Sequence, residues 1–205
     1  NTATWGGAVY TGYSTVGSAS ITGCTFTNNV ARNAGGGVLS RFALAVNNST
    51  FIGNRALHAD GGGAIIEWEG SNSIKISNST FTSNTASGKG GAVHGKGTGN
   101  MEITNSTFTS NTASSNGGAI CSGGAVTVID SEFKQCNANS GKDVYANGQN
   151  VNLICNDYDN KIKYGNGEVI GNVVKYVVSG TFAEVQYRID TTPNNGVLHL
   201  ENKKY

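Results

Sequence analysis

A chain of 205 residues with 30 glycines, a single proline, a charged fraction of 13% and a formal net charge of +1 argues against packed helices and for many short strands joined by turns. So nearly neutral a chain gives no electrostatic case for binding nucleic acid or an anionic membrane. No apolar run approaches the roughly 18 residues that would span a bilayer, so no membrane insertion is expected.

The opening "NTATWGGAVY" has neither an initiator Met nor a signal peptide and reads as the start of a mature or excised piece. It matches the line that begins at Asn84, so Asn1 stands at the asparagine of a repeat already under way. From there an aromatic residue recurs at Phe26, Phe51, Phe81, Phe108, Phe133 and Tyr158, in steps of 25, 30, 27, 25 and 25 residues. Seven positions before each stand Ala19, Leu44, Ile74, Met101, Val126 and Val151; five before stand Ile21, Val46, Ile76, Ile103, Val128 and Leu153. Three positions after it come Asn29, Asn54, Asn84 and Asn111, and five after it an alanine from Ala31 to Ala138. A diglycine closes each unit, at Gly6-Gly7, Gly36-Gly37, Gly62-Gly63, Gly90-Gly91 and Gly117-Gly118.

The alternation in "SIKIS" and "STFTS" has the period of strands buried on one face. A unit of about 27 residues with two or three such strands cannot bury that face alone and must stack on its copies. The expected fold is all-β, a parallel β-helix of about six rungs spanning residues 1–165. Phe, Ile and Val columns should fill it, and the asparagines should hydrogen-bond up and down the stack at a bend. The "EWEGSN" stretch, inside the 30-residue step, should protrude as a loop.

The alternating FxxN stretches ("FTNN", "FIGN", "FTSN", "FTSN") and GGA[ILV] stretches ("GGAV", "GGAI") resemble the repeats of polymorphic outer-membrane adhesins of bacteria and of adhesin-like surface proteins of methanogenic archaea. The resemblance covers residues 1–163. It implies a right-handed β-helix at an extracellular cell surface.

Past Phe133 the pattern departs, with Cys136 in place of the asparagine and "GKDV" in place of GGAV, so the stack is expected to end there. Residues 166–205 then read as a connecting segment. "VVKYVV" is a strand candidate outside the solenoid columns. Phe182, Val185 and Ile189 lie at helical spacing after Ser179 or Thr181, a short capping helix across the open end. This tail resembles the module opening that archaeal adhesin-like proteins place before a fresh β-helix. Leu198 and Leu200 stand seven and five positions before Tyr205, the offsets of Ile74 and Ile76 from Phe81, as though a new rung had begun. A chain that starts and stops mid-rung is either a fragment of a longer protein or a unit whose ends, Asn1 with Leu198, Leu200 and Tyr205, meet end to end with a neighbouring copy or tandem unit.

Candidate chemistry is sparse. Cys24, Cys121, Cys136 and Cys155 lack metal-ligand spacing; they allow three full disulfide pairings or free thiols. Solenoid polysaccharide lyases and hydrolases gather carboxylates on one face, whereas the acids here are scattered; Glu132 and Asp157, and Glu67 and Glu69, read as solvated surface, and His58, His94 and His199 have no recurrent partner. Outward threonines at Thr25 and Thr27, Thr80 and Thr82, and Thr107 and Thr109 form a TxT array of the kind that binds ice, interrupted by Ile52, Glu132 and Lys134; ordinary exposed strand is the simpler reading. Sequons at Asn48, Asn78 and Asn105 share an outward column, open to glycans or simply turn asparagines. Trp5, Tyr10, Tyr13 and Trp68 could stack on sugars or on a partner surface. The sequence points to a non-catalytic, extracellular β-helix without cofactors: an adhesin-like stalk or attachment surface facing carbohydrate or protein on another cell, or else a subunit of a head-to-tail surface filament or sheath.

Overall fold

The computed structural model describes residues 1–12, 17–68, 70–155, 168–177 and 197–200. Every strand pair in it is parallel, and the chain winds into a β-solenoid of about six coils with no helix among the described residues. Each coil passes through an alanine sheet (Thr2–Ala3, Val30–Ala31, Arg55–Ala56, Thr85–Ala86, Thr112–Ala113), then two arms of a large sheet, then a phenylalanine sheet. The glycine arm holds the strands after the diglycines: Val9–Tyr10, Val38–Ser40, Ile65–Glu67, Val93–Gly95 and Ile120–Ser122. The isoleucine arm holds Ser18–Thr22, Ala43–Asn47, Ile74–Ser77, Met101–Thr104 and Val126–Ile129. The two arms become one sheet because the long strand Val144–Cys155 runs through both.

The registers place like on like. Phe26, Phe51, Phe81, Phe108 and Phe133 pair in sequence, their rings 4.7–5.0 Å apart and within 8° of parallel. That spacing is the strand separation itself, so the backbone ladder sets the offset stacking of the rings. The Ile/Val and Leu/Met columns pair in the same way up to Val151 and Leu153. Together with the glycine-arm column from Val38 to Val144 they form one continuous core. Each buried Phe or Ile contributes roughly 1.5–3 kcal/mol. Tyr158 lies outside the described residues.

Three bends per coil turn on left-handed residues. One column is Gly6, Gly35, Gly62, Gly90, Gly117 and Gly141; the second is Gly23, Asn48, Asn78, Asn105 and Asp130; the third is Asn28, Gly53, Ser83, Ser110 and Gln135. The glycine after the first column is needed for a different reason: a Cβ on Gly7, Gly36, Gly63, Gly91 or Gly118 would lie 2.0–2.2 Å from the carbonyl oxygen of the next coil. Lys142 fills the same place in the last of these coils. The diglycine of the second coil is therefore Gly35-Gly36, as its hydrogen bonds to Gly61 and Gly62 and the pairing of Val38 with Val9 show, and not Gly36-Gly37. Three consecutive glycines made the frame ambiguous, and φ resolves it.

Other expectations change. Val169–Val177 pairs in parallel along Val144–Cys155, with Val169 on Val144 and Val173 on Val151. Residues 173–177 of "VVKYVV" are thus part of the stack, because the strand Val144–Cys155 offers a backbone edge along which they pair. Stacking also continues past "GKDV". Val197–Leu200 pairs with Val174–Val177, placing Leu198 on Lys175 and Leu200 on Val177; through Lys175 on Leu153, Leu198 follows the Ile76 column, two residues from the offset counted from Tyr205. The capping helix and Tyr205 fall outside the described residues. The "EWEGSN" stretch does not simply protrude: Glu67 is 1% exposed, ends an inward-facing strand, and accepts bonds from Asn72 Nδ2 and Gly97 N.

Candidate functional site

The signature residues are consumed by the fold. Asn54 and Asn84 are fully buried, and each amide does four things: Asn84 Nδ2 donates to Phe51 O and Asn111 Oδ1, while its Oδ1 accepts from Asn54 N and Asn54 Nδ2. Asn29, Asn54, Asn84 and Asn111 form one ladder, and Asn1 Nδ2 joins it at Asn29 Oδ1, 3.1 Å away. At its other end Cys136 Sγ stands 4.0 Å from Asn111 Nδ2. A second ladder was not anticipated: Ser49, Ser79, Ser106 and Ser131 each accept the amide of the equivalent residue one coil earlier, from Cys24, Ser49, Ser79 and Ser106, and each donates to the carbonyl two residues back. A serine recurring two before Phe51, Phe81, Phe108 and Phe133 was its signal.

The sequon column is a turn column. Asn48, Asn78 and Asn105 are exposed, adopt φ of 44–50°, and their amides are linked, Asn105 Nδ2 to Asn78 Oδ1 and Asn78 Nδ2 to Asn47 Oδ1. Gly23 and Asp130 at the same place show that the conformation is what is required there. The TxT positions point outward, with the array broken by Ile52, 39% exposed, and by the Glu132–Lys134 ion pair at 2.8 Å.

The glycine arm is buried on both faces. Its outer face carries Tyr10, Leu39, Ile66, His94, Cys121 and Tyr145 in register. Trp5 and Trp68 meet above Leu39 and Ile66 in an edge-to-face pair, centroids 4.9 Å apart. Lys96 Nζ lies 3.7 Å from the Trp68 ring centroid and 2.8 Å from Asp60 Oδ1, and the Asp60 carbonyl meets His94 Nδ1. Burial tends to push the Asp60 carboxyl up, but Lys96 and His58 outweigh it and hold it below the usual range. His94 falls to about 4 through burial, with Lys89 and Lys96 adding to the effect, so it is neutral at pH 7. These residues brace one another over the glycine arm; the indoles pack on each other and on Lys96 and are not an open platform. Asp60 and His58 come from two extra residues in this coil, since Asn54 stands eight before Gly62 where Asn29, Asn84 and Asn111 stand six before Gly35, Gly90 and Gly117.

No constellation for catalysis is assembled among the described residues. Glu67 is interior, Glu132 is ion-paired, and Glu69 and Asp157 lie outside the described residues. Among the described residues no group of three or more His, Cys, Asp or Glu could hold a metal ion, and no helix is long and apolar enough to cross a membrane. Cys24, Cys121 and Cys136 are free thiols; burial lifts Cys121 to about 12 and Cys136 to about 11, so neither is a nucleophile. Asp143, at the Ala119 position, is fully buried with both oxygens unpartnered, and burial pushes its carboxyl to about 7.

An open groove of about 340 Å³ lies on the outer face of the alanine sheet, lined by Arg55, Leu57, Thr85, Ser87, Thr112 and Ser114. Sequence reasoning missed it because Thr85 and Thr112, and Ser87 and Ser114, recur only as small polar residues of the repeat, and the residue that stands out on this face, Arg55 two positions after Gly53, does not recur.

The Chlamydia polymorphic membrane protein repeat matches residues 23–41, 78–96 and 105–123. No curated protein and no solved structure matches the chain. The matched segments keep six residues from the FxxN asparagine to the left-handed glycine, Asn29 to Gly35, Asn84 to Gly90 and Asn111 to Gly117; the intervening coil, with eight, is not matched. Three coils of this β-solenoid are thus similar to polymorphic membrane protein repeats, which fits a surface, adhesin-like repeat protein.

Proposed function

We propose that this chain is a non-catalytic, extracellular segment of an adhesin-like cell-surface protein, serving as a stalk and attachment surface. The observation that carries this reading is the division of labour within each coil. The residues that define the matched repeat, Phe81, Asn84, Gly91 and their equivalents, are all spent on the interior and on coil-to-coil contacts, and outward positions such as Val30, Arg55 and Thr85 differ from coil to coil. Such a rod resists proteolysis, since its backbone bonds run between coils and few loops are long, and it displays its surface without risk to its fold. The free thiols also suit it, for no disulfide is needed to hold coils together by so many ladders.

The test is surface labelling. Antibodies raised against the purified chain should stain intact source cells, and the soluble chain should compete with those cells for attachment to their target. Staining only after permeabilisation would sink the extracellular reading, and staining without competition would leave the stalk and remove the attachment role.

A further inference from the structure

We propose that the outer face of the alanine sheet binds a saccharide bearing a carboxylate, with Arg55 as its anion-recognising group. This rests on reading the chain as a surface attachment module and names the ligand class that module would take.

The outward positions before each interior alanine are Thr2, Val30, Arg55, Thr85 and Thr112, and those after it are Thr4, Arg32, Leu57, Ser87 and Ser114. No aspartate or glutamate stands among them. Arg32 and Arg55 are exposed on neighbouring coils, and among the described residues no carboxylate lies within ion-pair distance of either. The nearest acid after this strand, Asp60, is already held by Lys96 and His58. The face is therefore positive, and it is concave: the groove runs across three coils from Arg55 and Leu57 through Thr85 and Ser87 to Thr112 and Ser114.

The chemistry on offer is one forked guanidinium at one end, four hydroxyls on two further coils, and an apolar wall at Leu57, 45% exposed. A guanidinium takes a carboxylate through two parallel bonds, hydroxyls exchange bonds with hydroxyls in either direction, and the leucine covers the apolar face of a ring. An acidic sugar presents all three. A peptide is a poorer match, because it would need a free strand edge, and here the backbone is spent: the amides of Arg55, Leu57, Thr85, Ser87, Thr112 and Ser114 all donate to the preceding coil. The groove recognises through side chains alone.

The experiment is calorimetric titration of the purified chain at low salt with tri-galacturonate, with its methyl ester and with a glutamate-rich peptide. Tri-galacturonate is expected to bind, and the ester and the peptide at least about tenfold more weakly, the loss of one charge-assisted bidentate contact. Arg55→Gln and Ser114→Glu act from opposite ends of the groove on exposed residues, so both should keep the wild-type unfolding midpoint and weaken tri-galacturonate at least about tenfold. No binding, equal binding of the ester or the peptide, or unchanged affinity in either variant overturns the proposal. Because the assay uses the isolated chain, its failure removes this ligand class and leaves the cell-labelling result standing.

Discussion

Replacing Asn84 by alanine tests whether the asparagine ladder or the apolar core holds neighbouring coils in register. The substitution deletes two donated and two accepted hydrogen bonds in a fully buried site. Not all four partners are orphaned: Asn54 Nδ2 keeps Phe26 O, and Asn111 Oδ1 keeps the backbone amide of residue 84. The Asn54 amide loses its acceptor and Phe51 O loses a donor. At about 1–3 kcal/mol for each buried group left unsatisfied, plus a small cavity, Asn84→Ala should cost about 3–5 kcal/mol. Ser83→Ala, one residue away but exposed, should cost no more than about 1 kcal/mol. Urea unfolding gives the totals. Hydrogen exchange gives the location, since the Asn54 amide should lose protection well before the amides of the Phe133 coil. Equal costs for the two substitutions, or an Asn54 amide as protected as before, would refute the claim that the ladder bears on stability.

Further substitutions probe the other constraints. Gly91→Ala would place a Cβ 2.1 Å from Gly118 O, so the two coils must separate; a fall in unfolding midpoint far beyond the roughly 1 kcal/mol of ordinary Gly/Ala differences is expected, and a neutral or stabilised variant would contradict the close approach. Asp143 has a folded-state pKa raised to about 7 from 3.8, so its protonated form favours folding: stability should be greatest below about pH 4, decline as pH rises to about 7 and level off above it, by a few kcal/mol in all. Asp143→Ala, which restores the residue found at Ala119, should remove that dependence and stabilise the chain at pH 8; an unaltered pH profile would exclude Asp143 as its source. With an alkylating reagent and mass mapping, Cys24 should be modified in the native chain while Cys121 and Cys136 react only on unfolding; early labelling of Cys136 would mean that the last coils open readily.

The parts of this fold that were legible in the sequence are those that stacking makes repeat. A parallel ladder sets each residue on its counterpart in the next coil, so Phe on Phe, Ile on Val and Asn on Asn are written into the chain as periods of about 27 residues. The asparagine ladder could be anticipated because a polar residue recurring inside an apolar period must find its partners along the stack. What could not be read was non-periodic. Glu67 looked like loop because it is charged, yet it turns inward where Asn72 and the Gly97 amide receive it. Trp5 and Trp68 meet although 63 residues separate them, and Asp60, which meets Lys96, stands in an Asn54-to-Gly62 segment two residues longer than its neighbours. Arg55, which sets the groove apart from the repeating Thr85/Thr112 and Ser87/Ser114, has no periodic signature.

That asymmetry follows from the architecture. In a solenoid each coil contacts only its neighbours, so a substitution is tolerated or not according to which way its side chain points. Inward positions are bound to the residue above and the residue below: exchanging Phe81 or Gly91 disturbs three coils at once. Outward positions such as Arg55, Ile52 or Lys134 meet only solvent and a few side chains, and any one can change without altering the ladder. Recognition on such a rod is therefore built from the residues that break the repeat. In this chain the breaks cluster in two places: the cluster of Trp5, Trp68, Lys96 and Asp60, where the groups satisfy each other, and the alanine-sheet groove, where Arg55 stands without a counter-charge among the described residues. Groups that satisfy each other hold the rod together. A cation left open to solvent in a concave, hydroxyl-lined face costs the fold little and gains a partner only from outside the chain, so the groove, not the tryptophan cluster, is the place to look for a ligand.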